Sequence, residues 1–482
     1  MDCDRGNAKS KKERKEGREE GREEGREGKD SMMMLFLLYI CALSMGIAYG
    51  AHVPLVPVFA REVLNATYTE VGMVGMANYI PYAFFPFIVG LLLDRLNKGV
   101  VLLSGVSMAL ASIAMLSLAR SMLDLALIRA FSGIAHAFFW PSAEAMISMS
   151  TRIDEYSNNL DRDNSSSSSN NDRDKSSNSS SSSNSSSNSN SNSKSNSNSG
   201  SGSLGGVRSI SRFTMAWVFG YMVGPLIGSS LFPLGYLQLF IYSSTMIIPA
   251  LVCSIIIIIL LSKHKGYPSY GIKGEEDRGS RRSNSNGRVV DLTLISMLKG
   301  KIMLIAMIMY YSASFAILLS IVPSYMKDNG VDEQLIGMLF FIFGIARMLT
   351  LLSIQLFARY EHISILIASG AIASSMLMMY TAPTSSSFGI ALLALGFAFS
   401  IYFPITLTML TRYVPSKMIG SMVGLYETIF GIGWALGPIT SGIVADAFSI
   451  DAPYLAMFLI GVVMIPIYTM LRLKDGTITK QT

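Results

Sequence analysis

Residues 32–58 read MMMLFLLYICALSMGIAYGAHVPLVPV, an unbroken run without a single Asp, Glu, Lys or Arg. At 1.5 Å of rise per residue, a helix of that length exceeds the roughly 30 Å of hydrocarbon in a bilayer. Outward from it lie eleven more apolar stretches, at 68–93, 99–119, 122–149, 210–232, 235–262, 300–326, 333–358, 363–383, 386–411, 418–445 and 452–472. Half of the 482 residues are hydrophobic and only 15% are charged, well below the charged share of a soluble domain. The expectation is an all-α membrane protein of twelve transmembrane helices.

The net charge of +6 is informative through its placement. With the N-terminus in the cytoplasm, 34 of the 39 Lys and Arg fall on the inner side; Arg61, Arg120 and Lys327 fall outside, and Arg129 and Arg347 lie within helices. This bias puts both termini inside. It predicts a multi-pass protein of the cell (plasma) membrane whose partners are lipid and a small-molecule substrate, with no nucleic acid; it leaves the oligomeric state open, and a monomer satisfies it. Cys3, Cys41 and Cys253 form no CxxC pair, so the thiols suggest packing rather than a disulfide framework. No His/Glu metal spacing and no Ser/Cys nucleophile constellation occurs, so neither a metal, nor a cofactor, nor an enzyme is expected.

Residues 1–31 hold ten acids and ten bases and read as a solvated cytoplasmic tail; Met32, Met33 and Met34 beside it offer a later translation start. The first six-helix half spans 32–262 and is interrupted at about 152–208. From Asn164 to Ser203 the chain there is almost wholly Ser and Asn, a composition that cannot bury enough apolar area to offset chain entropy, and a disordered cytoplasmic insertion is expected. Residues 263–299 form a polar linker, 300–472 the second half and 473–482 a cytoplasmic tail.

The halves repeat one another. Val56-Pro57 and Gly72-Met73 recur as Val322-Pro323 and Gly337-Met338, the prolines 266 positions apart. Gly133, Ala135 and Pro141 recur as Gly396, Ala398 and Pro404, each 263 apart. Beyond the Ser/Asn tract, Gly224-Pro225 matches Gly437-Pro438 at 213 and Tyr236-Leu237 matches Tyr454-Leu455 at 218. The drop in offset is close to the length of the tract, which marks the tract as an insertion. Two pseudo-symmetric six-helix bundles in parallel orientation are the arrangement of a rocker-type carrier with its solute site near mid-membrane.

Gly90-Leu91-Leu92-Leu93-Asp94-Arg95-Leu96-Asn97-Lys98 resembles the loop 2–3 signature of the major facilitator superfamily, Gly-x-Leu-x-Asp-Arg-x-Gly-Arg, with Asn97 in place of the second Gly. The resemblance implies a latch in which Asp94, Arg95 and Lys98 hold the cytoplasmic side shut; a basic loop obeying topology is the alternative reading. Glu144 is a candidate partner of Arg95 at this inner gate. On helix 4, Arg129-Ala130-Phe131-Ser132-Gly133 resembles the family's Arg-x-x-x-Gly signature and implies a part for Arg129 in proton coupling. An Arg within a span costs roughly 2.5–3.5 kcal/mol on insertion scales, so it needs a partner or water, or else it snorkels to the surface.

On helix 5, Gly220, Gly224, Pro225 and Gly228 resemble the antiporter motif Gly-x-x-x-Gly-Pro-x-x-Gly of drug and proton exchangers, with Ser211 and Ser229 where the family often has Gly; Gly433, Gly437 and Pro438 on helix 11 are the echo. Further candidates for the translocation path or for coupling are His136, Arg347 and Glu427. His136 has a reference pKa near neutrality, and Glu427 lies near mid-membrane, where a desolvated carboxyl takes up protons more readily; each also has a purely structural reading. Tyr79, Phe138, Trp140, Tyr310, Tyr402 and Trp434 are candidates for an aromatic lining. The resemblance implies alternating access with proton-coupled export of a small amphipathic solute. Symport or facilitated diffusion of a sugar or organic acid, and a transporter-like sensor, remain the alternatives.

Overall fold

The computed structural model describes residue 30 and residues 32–93, 96–171, 201–263, 301–411 and 419–478. Among them the regular elements are all helical. In chain order they are α1 (Met32–Glu62), α2 (Tyr68–Leu93), α3 (Lys98–Leu116), α4 (Met122–Ile147), α5 (Arg212–Leu234) and α6 (Tyr236–Ser262), followed by α7 (Ile302–Ser320), α8 (Glu333–Leu352), α9 (Glu361–Thr381), α10 (Ser385–Thr411), α11 (Ile419–Ala447) and α12 (Ala452–Arg472). Eleven of these are long and apolar enough to cross a membrane; α2, with 26 residues, has the length for the twelfth.

Local chemistry explains where the helices bend and start. Pro54 and Pro57 lack the N–H that an α-helix needs, and α1 passes through a 3-10 turn at Val53–Leu55 before its last seven residues, Val56–Glu62. The same break recurs around Pro323, where α7 ends and a seven-residue helix, Val322–Asp328, continues it. The apolar stretch expected as one span at 300–326 is therefore two helices. Asn97 caps α3 by accepting from Gly99 N at 2.9 Å, and Asp332 caps α8 by accepting from Leu335 N at 2.7 Å. The helix begun by α4 runs on to Asn171, because residues 151–163 contain neither Gly nor Pro to stop it, and helix resumes at Ser201. The rest of the expected insertion, residues 172–200, lies outside the described residues.

Two compact units divide the chain. One comprises Met1–Tyr39 and Ala143–Thr214, and its described part is the helical ends of α1, α4 and α5, with Met34, Leu38, Met146 and Phe213 buried. The other comprises Ile40–Ser142 and Met215–Thr482 and contains everything described below except Glu144.

Within that second unit, the repeat seen in the sequence is a repeat of contacts. A Cβ on Gly220 would strike Leu43 O, and one on Gly433 would strike Met309 O; Leu43 and Met309 are themselves 266 positions apart. Gly224 lies against Ile47 O as Gly437 lies against Ala313 O, again 266 apart. So α5 packs on α1 as α11 packs on α7, backbone to backbone. The seam between the halves is doubled too, since Gly72 of α2 faces Pro438 O of α11 and Gly337 of α8 faces Pro225 O of α5.

Candidate translocation site

A cavity of about 190 Å³ lies among helices of both halves, room for on the order of a dozen waters. Helical spacing puts its lining on shared faces: Arg129, His136 and Trp140 on α4, Asn78, Tyr79 and Tyr82 on α2, Trp217 and Tyr221 on α5, and Phe430 and Trp434 on α11. Tyr49 and Val53 of α1, Phe315 and Leu319 of α7 and Arg347 of α8 complete it.

Aromatic rings form the walls. Tyr49 and His136 have centroids 4.2 Å apart, Trp140 and Trp217 5.0 Å, Tyr79 and Trp434 4.4 Å, and Phe315 and Trp434 5.3 Å. The Arg347 guanidinium carbon stands 5.2 Å from the Phe315 centroid, within cation–π range. Tyr49 and Ser132 share a hydrogen bond of 3.1 Å. Several buried polar atoms of these lining residues have no hydrogen-bond partner among the described residues: Nε of Arg129 and of Arg347, His136 Nε2, Asn78 Oδ1, Tyr221 OH and Trp434 Nε1. Arg129 is only 6% exposed, so it does not snorkel to a surface.

At one end of the bundle, four charged residues tie the halves together. Arg61 Nη2 reaches Asp328 Oδ2 at 2.8 Å, and Lys327 Nζ reaches Glu62 Oε1 at 3.0 Å. Arg61-Glu62 and Lys327-Asp328 are 266 positions apart, so each base pairs with the acid of the other repeat. Lys327 also pairs with Glu333; Tyr68 OH donates to Asp328 at 2.8 Å and Tyr236 OH to Glu62 at 2.7 Å. Burial disfavours the charge on Lys327, but hydrogen bonds and attraction from Glu333 and Glu62 outweigh it and hold its pKa above the ordinary lysine value. Asp446 of α11 accepts from the backbone N of Tyr68 and of Thr69, at 3.0 and 2.7 Å. Sequence reasoning placed Arg61 and Lys327 only as exceptions to the charge bias; the 266 offset already set by Pro57 and Pro323 was the signal for their relation.

The other expected site residues are distributed as follows. His136, Arg129 and Arg347 meet in the cavity, together with Tyr79, Trp140 and Trp434. Phe138, Tyr310 and Tyr402 are not in its lining: Tyr402 instead stacks on Tyr311 with centroids 4.9 Å apart, and Tyr310 packs where Gly461 leaves room. Glu427 is half-buried near Tyr311 and Tyr426 and is not among the lining residues either; it shares the α11 face of Phe430 and Trp434 but stands one turn before the first of them. Gly133 admits the backbone of α2, since a Cβ there would strike Asn78 O. Gly90 is helical within α2 and Lys98 opens α3, whereas Asp94 and Arg95 lie outside the described residues. Glu144 is exposed, in the other compact unit, and its expected pairing with Arg95 lies outside the described residues as well. The lining residues that the sequence did not reveal are Tyr49, Val53, Asn78, Tyr82, Trp217, Tyr221, Phe315, Leu319 and Phe430. Trp217 and Tyr221 flank Gly220 of the recognised helix 5 motif, which was the available clue.

Paired helical halves around a solute-sized cavity define a membrane carrier rather than an enzyme. The chain belongs to the Major Facilitator Superfamily, whose sequence profile matches residues 38–157, 207–420 and 303–481. Its fold is similar to that of the nucleoside transporter NupG, with 14% identity, 91% of this chain and 98% of that chain covered, and a TM-score of 0.61; a point mutant of NupG gives 0.66. It is also similar to a bacterial homolog of the human lysosomal transporter Spinster in an inward-facing, unoccupied conformation, with 13% identity, 92% and 97% of the two chains covered, and a TM-score of 0.61. No curated protein sequence matches this one. At such identities the solved structures speak to the fold alone.

Proposed function

We propose that this transporter moves a small amphipathic solute outward across the plasma membrane by alternating access, in exchange for protons. The observation that carries the reading is the aromatic cavity, in which α4 presents Arg129 and His136 beside the helix 5 face bearing Trp217 and Tyr221. The charged quartet shuts the end that the Lys/Arg bias assigns to the outside, which suits a carrier resting with its site turned inward. Asp94, Arg95 and Lys98 are assigned to the latch of the opposite state. The Gly/Pro seams of α5 and α11 are the surfaces on which the halves reseat. His136 and Glu427 are the groups assigned to proton traffic, His136 from within the cavity and Glu427 from beside it; no metal or cofactor takes part.

The test is proton movement in liposomes holding the purified protein, with an imposed pH gradient and a panel of lipophilic cations, sugars and organic acids. A solute that drives protons against its own direction, with the exchange lost in Glu427→Gln or His136→Gln, supports the reading. A solute that moves with the proton, or without one, rejects exchange.

A further inference from the structure

The cavity that serves the proposed carrier holds two guanidiniums, Arg129 buried and Arg347 half-buried with its Nε enclosed, and, among the residues that line it, no carboxylate. The Nε of each is without a hydrogen-bond partner, and neither Arg129 nor Arg347 is in an ion pair among the described residues. A desolvated charge left uncompensated is destabilising, and with only the faces of Phe315 and Phe343 set against Arg347, two guanidiniums in one cavity call for a compensating ligand.

The fold's symmetry does not supply the reason for either one. By the offset of 265 that relates Gly72 to Gly337, the counterpart of Arg347 is Tyr82, which lines the same cavity. By the offset of 263 that relates Gly133 to Gly396, the counterpart of Arg129 is Leu392, fully buried in packing. Each half thus places a cation where its twin has a neutral side chain, and both cations line the one cavity.

We infer that the cavity binds an organic anion, its carboxylate or sulfonate held by Arg129 and Arg347 and its flat apolar body lying against the indoles of Trp217 and Trp434. This rests on the carrier reading for its biological sense but not on the direction of transport. Guanidinium donors match the geometry of a carboxylate better than any other side chain, and the low dielectric of a buried site strengthens their attraction. Tyr221 OH and Trp434 Nε1, both without partners among the described residues, add neutral donors. An organic cation would meet two like charges and, among the lining residues, no carboxylate to offset them.

All three tryptophans of the chain, Trp140, Trp217 and Trp434, line this cavity, so intrinsic fluorescence reports its occupancy directly. The full chain in detergent is titrated with phenylacetate and benzenesulfonate, with neutral phenylacetamide, and with cationic phenethylamine. The expected result is saturable change with the anions alone, about ten-fold or more weaker in Arg129→Gln and in Arg347→Gln, and partly restored in Arg347→Lys. Equal response to the amide or the amine, silence toward both anions, or undiminished affinity in both Gln variants overturns the assignment. Should the variants fail to fold, the charge series on the unaltered protein decides. If the anions bind as expected while liposomes transport nothing, the carrier reading fails and the anion site stands; if liposomes carry only cations or sugars, the anion site fails and the carrier reading stands.

Discussion

Asn97 stands where the loop signature of the family has a glycine, and in this chain its side chain caps α3 through Gly99 N. Replacing a capping Asn by Ala costs about 1 kcal/mol, and by Gly only a few tenths. Asn97→Ala is therefore expected to speed hydrogen exchange in the first turn of α3, while Asn97→Gly changes it little; equal effects would reject the capping role. The charged quartet lends itself to a second test at this scale. Its side chains are partly exposed, so each pair contributes roughly 0.2–1 kcal/mol. Arg61→Asp should open the tied end several-fold more often, read as faster labelling of a cysteine placed at Leu319, and Asp328→Arg in the same chain should restore the original rate. A swap that does not restore it would mean that Arg61 acts through Ala66 O, its other partner at 2.7 Å, and not through Asp328.

Among the elements, the helix pairs α1–α5 and α7–α11 are held by backbone contact at glycine. A methyl at Gly224 would meet Ile47 O and the Cα of Gly50, neither of which is a flexible side-chain end. Gly224→Ala and Gly437→Ala are each expected to lower stability by about 1–3 kcal/mol, the usual range for overpacking, seen as a lower thermal midpoint in detergent. Gly370 of α9 has open space where its Cβ would be, and Gly370→Ala should leave the midpoint unchanged or raise it, because Ala favours helix by roughly 1 kcal/mol. Parallel losses at all three positions would show that the glycines matter for some reason other than close approach. The glycine positions and their pairing between halves were legible in the sequence, since offsets near 266 and 213 are visible in residue identity alone. Which backbone each glycine touches was not, because that depends on helix rotation.

For the molecule as a whole, the Ser/Asn tract is the largest departure from the repeat. The entropy of closing a loop grows only logarithmically with length, about 0.6 kcal/mol per doubling. Deleting residues 172–199 is accordingly expected to leave transport within about two-fold and thermal stability unchanged; loss of transport with an intact fold would assign the tract a function. The candidate site was half legible. Arg129, His136 and Arg347 stood out as polar groups in apolar helices, which is costly and therefore conspicuous. Tyr49, Tyr221 and Phe315 did not, because an aromatic residue in a membrane helix is ordinary in composition whether it faces lipid, a neighbour or a cavity.

The class of fold, the count of helices, the repeat and the existence of charges that needed a reason are legible in the chain alone, because hydrophobic length, offsets and buried cost are properties of the chain read in one dimension. That Arg129 and Arg347, 218 positions apart on different halves, share one aromatic cavity while Glu427 does not line it emerges with the packing of the helices. A helix fixes which residues share a face, as Glu427 does with Phe430 and Trp434, but the rotation of that face and the level at which it meets its neighbours are set by packing among several helices at once, and no local pattern records them.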